Sequence, residues 1–304
     1  MTPEPELLAL QSAPVDEAWK PARLGLWRLL GRDPMALGSL LVIAGLVLVG
    51  LLADWVAPYD PTAINMRGRE VNGQRVFPPY APDATHWFGT DQLGRDILSR
   101  VIYGVRTSLF IGVVVRGGVM LLGVTLGLVA GYWPGIVRAS ILRFTEIMLS
   151  FPPLLIAMAV TAVLQPSLST VTIALIVVGW PDVVRLVYGQ VLVAREMLYV
   201  EAARSLGASE WRILVRHIVP NILETIVVAF SMGIPGAVMY EAGLSFFGFG
   251  LQPPTPSLGS MISDGRGYMT AAPWYTVFPG LTLALLVLAF NLLGEGLLRR
   301  NRQH

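Results

Sequence analysis

The stretch EAARSLGASEWRILVRHIVP, residues 201–220, is a charged amphipathic segment between two long apolar runs. Ala202 and Ala203 favour a helix, and Gly207 suits a left-handed C-terminal cap that ends it. Ser209 is a good N-cap for a second helix. In that helix the apolar residues recur at helical spacing, at Trp211, Leu214, Val215 and Ile218. The segment is therefore predicted to form two short helices joined by a sharp turn, the second with one apolar face.

The charged residues of the same stretch complete the pattern. Glu210 favours the positive end of the second helix, and Arg212 and Arg216 lie one turn apart on another face. Pro220 is expected to open the next apolar helix. The pattern indicates a surface that binds a partner protein rather than a place for chemistry. The alternative is an ordinary helical hairpin lying on a membrane surface.

Composition indicates an integral membrane protein, since 54% of the residues are apolar and 14% are charged. A helix needs about 20 mainly apolar residues to span a bilayer. Six runs qualify, at residues 35–57, 107–131, 141–164, 168–188, 221–247 and 272–297. The first follows Asp33-Pro34, an N-cap and a first-turn proline, and is predicted to be an uncleaved span.

Arginine positions predict the orientation of the chain. With the N-terminus in the cytoplasm, the arginines near the inner helix ends fall on the same side, at Arg138, Arg143, residues 185–216 and residues 299–302. Both termini and the charged segment are therefore expected to face the cytoplasm. The loop 58–106 carries six arginines and falls outside, but long loops cross with weaker regard to charge.

The order Glu201-Ala202-Ala203, Gly207 and Pro220 resembles the EAA loop of membrane subunits in bacterial ATP-binding-cassette (ABC) importers. We call residues 195–220 the EAA segment. His217 and Val219 depart from the general consensus, and residues 217–221 resemble the peptide-permease branch. The resemblance implies that the residues that couple the chain to ATPase subunits are Glu201, Ala202, Ala203, Gly207, Arg212, Arg216 and Pro220.

Residues 88–96, FGTDQLGRD, resemble the FGTDxxGRD signature of dipeptide and oligopeptide permeases. Read alone, they form a turn-rich loop that enters a helix at Asp96, with carboxylates able to pair with Arg95 or Arg100. Two roles remain open: fixing the loop on the protein surface, or contacting substrate or a binding protein. The motif residues are Gly89, Thr90, Asp91, Gly94, Arg95 and Asp96.

Further matches extend the resemblance over about residues 33–298, at 130–132, 150–153, 179–181, 241–248, 252–257 and 289–294. The match is to the C-type membrane subunit. It implies an all-helical membrane protein with six transmembrane helices and the type I ABC importer permease fold. It also implies a location in the bacterial inner membrane. The implied partners are a B-type permease in a heterodimer, cytoplasmic ABC ATPases, an extracytoplasmic substrate-binding protein and membrane lipid.

The implied division of the chain starts with a cytoplasmic tail at 1–34, a first transmembrane helix at 35–57 and an extracytoplasmic loop at 58–106. A permease domain at 107–298 follows, with five transmembrane helices and the EAA segment, before a cytoplasmic tail at 299–304. The implied cargo is dipeptides or oligopeptides. Nickel chelates, glutathione and oligosaccharides are the alternatives within the same importer class.

Several kinds of chemistry are disfavoured by what the sequence lacks. The phosphate-binding G-x-x-x-x-G-K-[ST] loop is missing, and the only lysine is Lys20. ATP and Mg²⁺ are therefore expected on partner subunits, with no cofactor on this chain. Three histidines, no cysteine and no H-E-x-x-H or G-x-S-x-G pattern argue against a catalytic or metal site. Nothing indicates nucleic-acid binding.

Three ionisable residues inside the predicted spans are candidates for the translocation pathway, because charge in the bilayer is expensive. Asp182 is expected near a cytoplasmic helix end. Arg116 and Glu241 are expected toward the outer half, where they either pair with each other or leave Glu241 facing the cavity. A channel or ion-coupled transporter using these residues is an alternative function, and the EAA segment argues against it.

Glycine and proline positions predict how the spans pack. Gly123, Gly127 and Gly131 are four residues apart, so they share one helix face and allow a neighbouring helix to approach closely. Prolines are expected to interrupt other spans, at Pro152-Pro153, Pro181 and Pro235. Such breaks either flank the translocation path or are packing kinks.

Overall fold

The computed structural model describes residues 34–71 and 74–301, and it is a bundle of long helices. The helices are α1 (Pro34–Leu51), α2 (Ala53–Val56), α3 (Ile97–Tyr132), α4 (Ile136–Leu149), α5 (Pro153–Leu164), α6 (Leu168–Arg195), α7 (Leu198–Ser205), α8 (Glu210–Ile213), α9 (Val219–Phe246), α10 (Leu258–Gly265) and α11 (Trp274–Asn301). Strands β1 (Arg69–Val71) and β2 (Gln74–Val76) pair antiparallel between α2 and α3. The predicted all-helical fold is confirmed apart from this small pair.

The predicted tails lie largely outside the described residues. The tail at 1–34 is described only at Pro34, so the expected cap at Asp33 falls outside. The tail at 299–304 is described only as far as Asn301, where α11 ends.

In the described chain, five helical segments are long and apolar enough to cross a membrane. They correspond to α1, α3, α6, α9 (continuous with α8) and α11. Helices α4 and α5 meet the criteria as a pair, but they are bent by 87° at the break between them. Counted as one span, the pair gives the predicted six. The break lies at Phe151-Pro152 because a residue that precedes a proline is driven out of the helical region. The run 141–164 is therefore not one straight helix.

The other prolines do not break their helices. Pro181 lies inside α6 and Pro235 inside α9, and both helices continue past them. The expected interruptions at these two positions are wrong, because neighbouring helices support the backbone that a proline leaves unpaired.

Several helix ends differ from the predicted ones. Helix α3 begins at Ile97 rather than Thr107, so the loop predicted at 58–106 ends at Asp96. Helix α6 runs past Tyr188 to Arg195, and the first span ends at Leu51. For α3 and α6, the apolar windows miss helix ends that carry charged residues. Arg106, for example, belongs to α3 and lies 3.2 Å from the carboxylate of Asp54.

Helices α3 and α6 run parallel in close contact along the predicted glycine face. Cβ atoms on Gly123, Gly127 and Gly131 would lie 2.5, 2.7 and 2.6 Å from the Cβ atoms of Val183, Val187 and Val191. No larger residue fits at that separation without moving a helix. The prediction that these glycines allow close helix packing is confirmed.

The 36 residues of α3 set the height of the bundle, at about 54 Å. We call the end of the bundle at its first turn the loop end, because residues 57–96 lie there. Helices α7 and α8 lie at the opposite end, beside Tyr132, and we call this the EAA end. At the loop end a buried cluster joins α3 to α1, α9, α10 and α11 around Tyr275 and Met261.

Candidate functional site

The EAA segment forms the predicted helix, turn and helix. Gly207 has a φ of 79°, the left-handed conformation that favours glycine. Its amide donates to the carbonyl of Arg204 (3.0 Å), and the amide of Ala208 donates to the carbonyl of Ala203 (3.1 Å). These two bonds are the Schellman pattern that satisfies the last carbonyls of a helix. The structure therefore places a glycine cap at the end of α7.

The second helix begins as predicted and Pro220 lies in the first turn of α9, also as predicted, but no break separates the two helices. The Oγ atom of Ser209 accepts from the amide of Arg212 at 3.4 Å, which caps α8. Helix α8 passes through a π-helical turn, Leu214–Ile218, directly into α9. The wider turn spaces the backbone ahead of Pro220, which has no amide hydrogen. The second EAA helix and the following span thus form one helix, Glu210–Phe246.

The predicted apolar face of that helix is only partly buried. Leu214 and Ile218 pack into the bundle together with Ile213, whereas Trp211 is 66% exposed and Val215 is 47% exposed. Residues four apart still share a face, but Trp211 and Val215 lie on an exposed face and Leu214 and Ile218 on a buried one, so the four do not form one apolar stripe.

The EAA end presents exposed apolar side chains among charges. Leu206 is 89% exposed and Leu198 is 82% exposed, in addition to Trp211. Of the predicted coupling residues, Ala203 is buried, and the exposed ones are Glu201, Ala202, Gly207, Arg212, Arg216 and Pro220. Large exposed apolar side chains next to charged ones are typical of a protein interaction surface.

Tyr132, the last residue of α3, joins the EAA segment to the bundle. Its hydroxyl donates to the carboxylate of Glu210 at the start of α8. The Nε and Nη2 atoms of Arg204 on α7 donate to the same carboxylate at 3.3 and 3.4 Å. The hydrogen bond from Arg204 to Glu210 raises the pKa of Arg204. The two EAA helices are therefore linked to each other and to α3.

Two arginines cap the end of α3. Arg195, at the end of α6, donates to the carbonyls of Gly131 (3.1 Å) and Tyr132 (2.9 Å). Arg138 on α4 donates to the carbonyls of Ala130 (2.9 Å) and Gly131 (3.2 Å). Cations are stabilised at a helix C-terminus, where carbonyls are unpaired. No local sequence pattern places Arg195 beside residues 130–132, so these capping contacts could not be predicted from the sequence.

The 88–96 motif forms a buried turn at the loop end. Asp91 is central: its Oδ1 accepts from the amides of Leu93 and Arg95 (both 2.9 Å), and its Oδ2 accepts from Nε of Arg95 (2.6 Å). Arg100 Nε lies 3.6 Å from the same Oδ2. Gly89 and Gly94 both have a φ of 73°. The backbone turns and the ion pairs therefore depend on the motif residues together.

The last residue of the motif caps α3, as predicted. Asp96 Oδ2 accepts from the amide and the hydroxyl of Ser99 (both 2.8 Å), and its Oδ1 lies 2.8 Å from Nδ1 of His86. Thr90 Oγ1 accepts from the amide of Tyr80 at 2.8 Å. Thr90, Asp91, Arg95 and Asp96 are all buried. Nearby, burial raises the pKa of Asp264, and Arg100 and Arg95 oppose that effect. The motif side chains thus hold the loop against α3.

Glu241 and Arg116 form no ion pair in the described part of the chain, so the expected pairing is wrong. Glu241 is fully buried, and its Oε1 accepts from the hydroxyls of Ser245 (2.7 Å) and Ser257 (2.8 Å). It therefore fixes α10 on α9, and it lines neither of the two cavities described below. Arg116 meets α9 about three turns away, where its Nη2 donates to the carbonyl of Ala229 at 2.6 Å.

Arg116 instead shares a cavity with Asp182. This cavity of 160 Å³ lies between α3, α5, α6 and α9. Asp182 is near the midpoint of α6 rather than near its end, because α6 continues to Arg195. A second cavity, of 520 Å³, lies toward the EAA end and is lined by Glu146, Arg185 and Tyr188. Residues 34–71 and 74–301 contain no cluster of three metal-ligating side chains.

Comparisons with known proteins agree with this arrangement. Residues 123–303 match the family described as binding-protein-dependent transport system inner membrane component. Residues 24–82 match the N-terminal transmembrane domain of oligopeptide transport permease C. In fold, the chain resembles a chain of the inward-facing MetNI methionine ABC transporter. The TM-score is 0.55 at 20% identity, covering 66% of this chain and 95% of that chain.

Relatives of similar length carry the same kind of name. The chain is 40% identical to the glutathione transport system permease protein GsiD of Pectobacterium atrosepticum, over 89% of this chain and 87% of that protein. It is 37% identical to the dipeptide transport system permease protein DppC of Alkalihalophilus pseudofirmus, over 98% and 94%. The chain therefore belongs to the family of inner membrane components of binding-protein-dependent transport systems, with the type I ABC importer permease fold.

Proposed function

We propose that this chain is the C-type permease subunit of an ATP-driven importer for dipeptides or oligopeptides. The observation that carries the proposal is the EAA segment, which exposes Leu206 and Trp211 beside Glu201 and two arginines at one end of the bundle. A membrane subunit needs such a surface to receive motion from an ATPase. The name of the DppC relative supports a dipeptide cargo.

The partners follow from what the chain has and lacks. As an ABC permease in the inner membrane, it works with other transporter subunits. ATPase subunits that bind ATP and Mg²⁺ dock at the EAA end, which faces the cytoplasm together with both chain termini. A B-type permease completes the translocation path. A substrate-binding protein delivers cargo at the loop end.

Mechanical coupling would follow the rigid connections of the EAA segment. The helix Glu210–Phe246 has 37 residues, so it reaches about 55 Å from the docking surface through the membrane. The Tyr132–Glu210 hydrogen bond and the Arg195 cap link the same surface to α3 and α6. When ATP closes the ATPase dimer, the EAA segment moves with it and the bundle swings from inward-open to outward-open.

The experiment is uptake of labelled dialanine by proteoliposomes that contain the complete transporter, with and without ATP. We expect ATP-dependent uptake that needs this chain and the binding protein. Uptake that survives ATP depletion but stops when an ion gradient is collapsed would contradict the proposal and favour an ion-coupled transporter.

Glutathione is the second candidate cargo, because a relative 40% identical to this chain is named as a glutathione permease. Competition separates the candidates. Excess glutathione, a nickel chelate or an oligosaccharide is added during dialanine uptake, and the strongest competitor identifies the cargo class. If dialanine is not taken up and one of these compounds is, the importer remains and the peptide assignment is wrong.

A further inference from the structure

Two opposite charges line the 160 Å³ cavity inside the bundle. Arg116 reaches it from near the midpoint of α3, and Asp182 from near the midpoint of α6. In the described part of the chain, neither forms an ion pair with an oppositely charged side chain. On this chain Asp182 is exposed and Arg116 is half-buried. Charges within a span that have no ion-pair partner are expensive and mark sites that face a polar path.

Glycine gives the Arg116 side chain its place in the cavity wall. A Cβ on Gly233 would lie 1.9 Å from Nε of Arg116, so the guanidinium rests across α9 where any larger residue would displace it. Its Nη2 donates to the Ala229 carbonyl, and its Nε has no hydrogen-bond partner among the described residues. The guanidinium is therefore positioned, with Nε covered by the protein and Nη1 making no hydrogen bond to the described residues. Arginine donors suit a carboxylate, which can accept two at once.

We infer that Arg116 and Asp182 form one half of a binding site for a zwitterion, with a free carboxylate held at Arg116 and a free ammonium at Asp182. This inference rests on the proposed importer function and specifies its cargo as a peptide with both termini unblocked. The cavity is smaller than the roughly 300–1,000 Å³ of most small-molecule sites. The facing permease subunit therefore supplies the other half.

The larger cavity lies nearer the EAA end. Arg185 lies one helical turn after Asp182 on α6, and Glu146 lines the same 520 Å³ cavity from α4. Glu146 is paired with Arg143 at 3.2 Å, so Arg185 is the charge at this cavity without an ion-pair partner among the described residues. The carboxylate of a cargo that leaves Arg116 meets this second cation on its way to the cytoplasm.

The chain contains no cysteine, which allows a direct test of the cavity. The probe is the Gly236→Cys variant, because a Cβ at this position meets no atom within 4 Å while the residue lines the cavity. The complete transporter in nanodiscs is alkylated with a maleimide, and the labelling rate of this chain is followed by a gel shift. The Thr62→Cys variant, in the exposed loop, is the matched probe outside the cavity.

Protection by dialanine is compared with protection by dialaninamide, which lacks the carboxylate, and by N-acetyl-dialanine, which lacks the ammonium. We expect dialanine to slow labelling of the Gly236→Cys variant and not of the Thr62→Cys variant. Each blocked peptide should need about 10–100 times the concentration, the range for one charge-assisted hydrogen bond. Equal protection by the three compounds, or none by dialanine, would overturn the site.

Second substitutions assign the two charges. In the Arg116→Gln or Gly233→Ala variant, dialanine and dialaninamide should protect the cysteine equally, because the carboxylate has lost its partner. In the Asp182→Asn variant, dialanine and N-acetyl-dialanine should protect it equally, because the ammonium has lost its partner. A second probe, Tyr240→Cys, tests the same cavity with Gly236 intact. With this probe, Gly236→Ala is the matched control for Gly233→Ala, and it should keep the preference for dialanine over dialaninamide. If Gly233→Ala also keeps that preference, the placement of Arg116 is wrong. ATP-dependent dialanine uptake by the intact transporter is scored separately, and its absence counts against the proposed function alone.

Discussion

The close contact between α3 and α6 predicts how much stability is lost when a glycine at the contact is replaced by alanine. Gly127→Ala would place a Cβ 2.7 Å from the Cβ of Val187 and 3.0 Å from the carbonyl oxygen of Val184. Carbon atoms pack best at about 3.5–4.0 Å, so the helices must separate by about 1 Å. Overpacking of this kind costs about 1–3 kcal/mol. Alanine also returns about 1 kcal/mol of helix propensity relative to glycine.

Gly117→Ala in the same helix is the matched control. A Cβ at Gly117 meets no atom within 4 Å, so this variant gains the helix propensity without the clash. The difference between the two variants therefore isolates the packing cost. We expect Gly127→Ala to have a free energy of unfolding about 1–3 kcal/mol below that of Gly117→Ala.

The measurement is unfolding of the purified chain in mixed micelles titrated with dodecyl sulfate, followed by tryptophan fluorescence. Equal unfolding free energies for the two variants would show that α3 and α6 are not packed through Gly127. A more stable Gly127→Ala variant would refute the close approach altogether.

Three other predictions follow from single contacts. Glu241→Ala should lower the free energy of unfolding by about 1–3 kcal/mol because Ser257 loses its buried acceptor. Glu241→Gln should keep uptake, and a loss of transport in this variant would indicate a role for the charge. Tyr132→Phe removes the donor to Glu210, so the ratio of peptides imported to ATP hydrolysed should fall, and an unchanged ratio would exclude this link. The amide of His86, with Arg69, lowers the pKa of Asp83 from 3.8 to about 2. The Asp83 carboxylate therefore stabilises the loop above pH 3.8, and this stabilisation is lost as the pH falls toward 2. Proteolysis of the loop should rise over that pH range, and Asp83→Asn should abolish this rise.

Local features could be predicted from the sequence because their causes lie within a few residues. The cap at Gly207, the Ser209 N-cap, the start of α3 at Asp96 and the glycine face of α3 each depend on the conformational preferences of neighbouring residues. Apolar length likewise identified the spans, although charged residues such as Arg106 hid the true helix ends.

Features that depend on how helices meet could not be predicted. Arg116 and Glu241 both lie in spans, but only the packing of α3 on α9 shows that Arg116 reaches Ala229 instead. The Tyr132–Glu210 bond joins residues that are far apart in sequence. The π-helical turn Leu214–Ile218 has no signature beyond a proline two residues later.

Coupling through the EAA segment is the central claim, and Gly207 tests it most directly. A Cβ there meets no atom within 4 Å of this chain, but the φ of 79° strains a β-branched residue and is tolerated by asparagine. The measurement is ATP-dependent uptake of dialanine by the complete transporter carrying Gly207→Val or Gly207→Asn, after membrane insertion has been checked. We predict that the valine variant inserts but loses uptake and that the asparagine variant keeps most of it. Normal uptake by the Gly207→Val transporter would contradict the account.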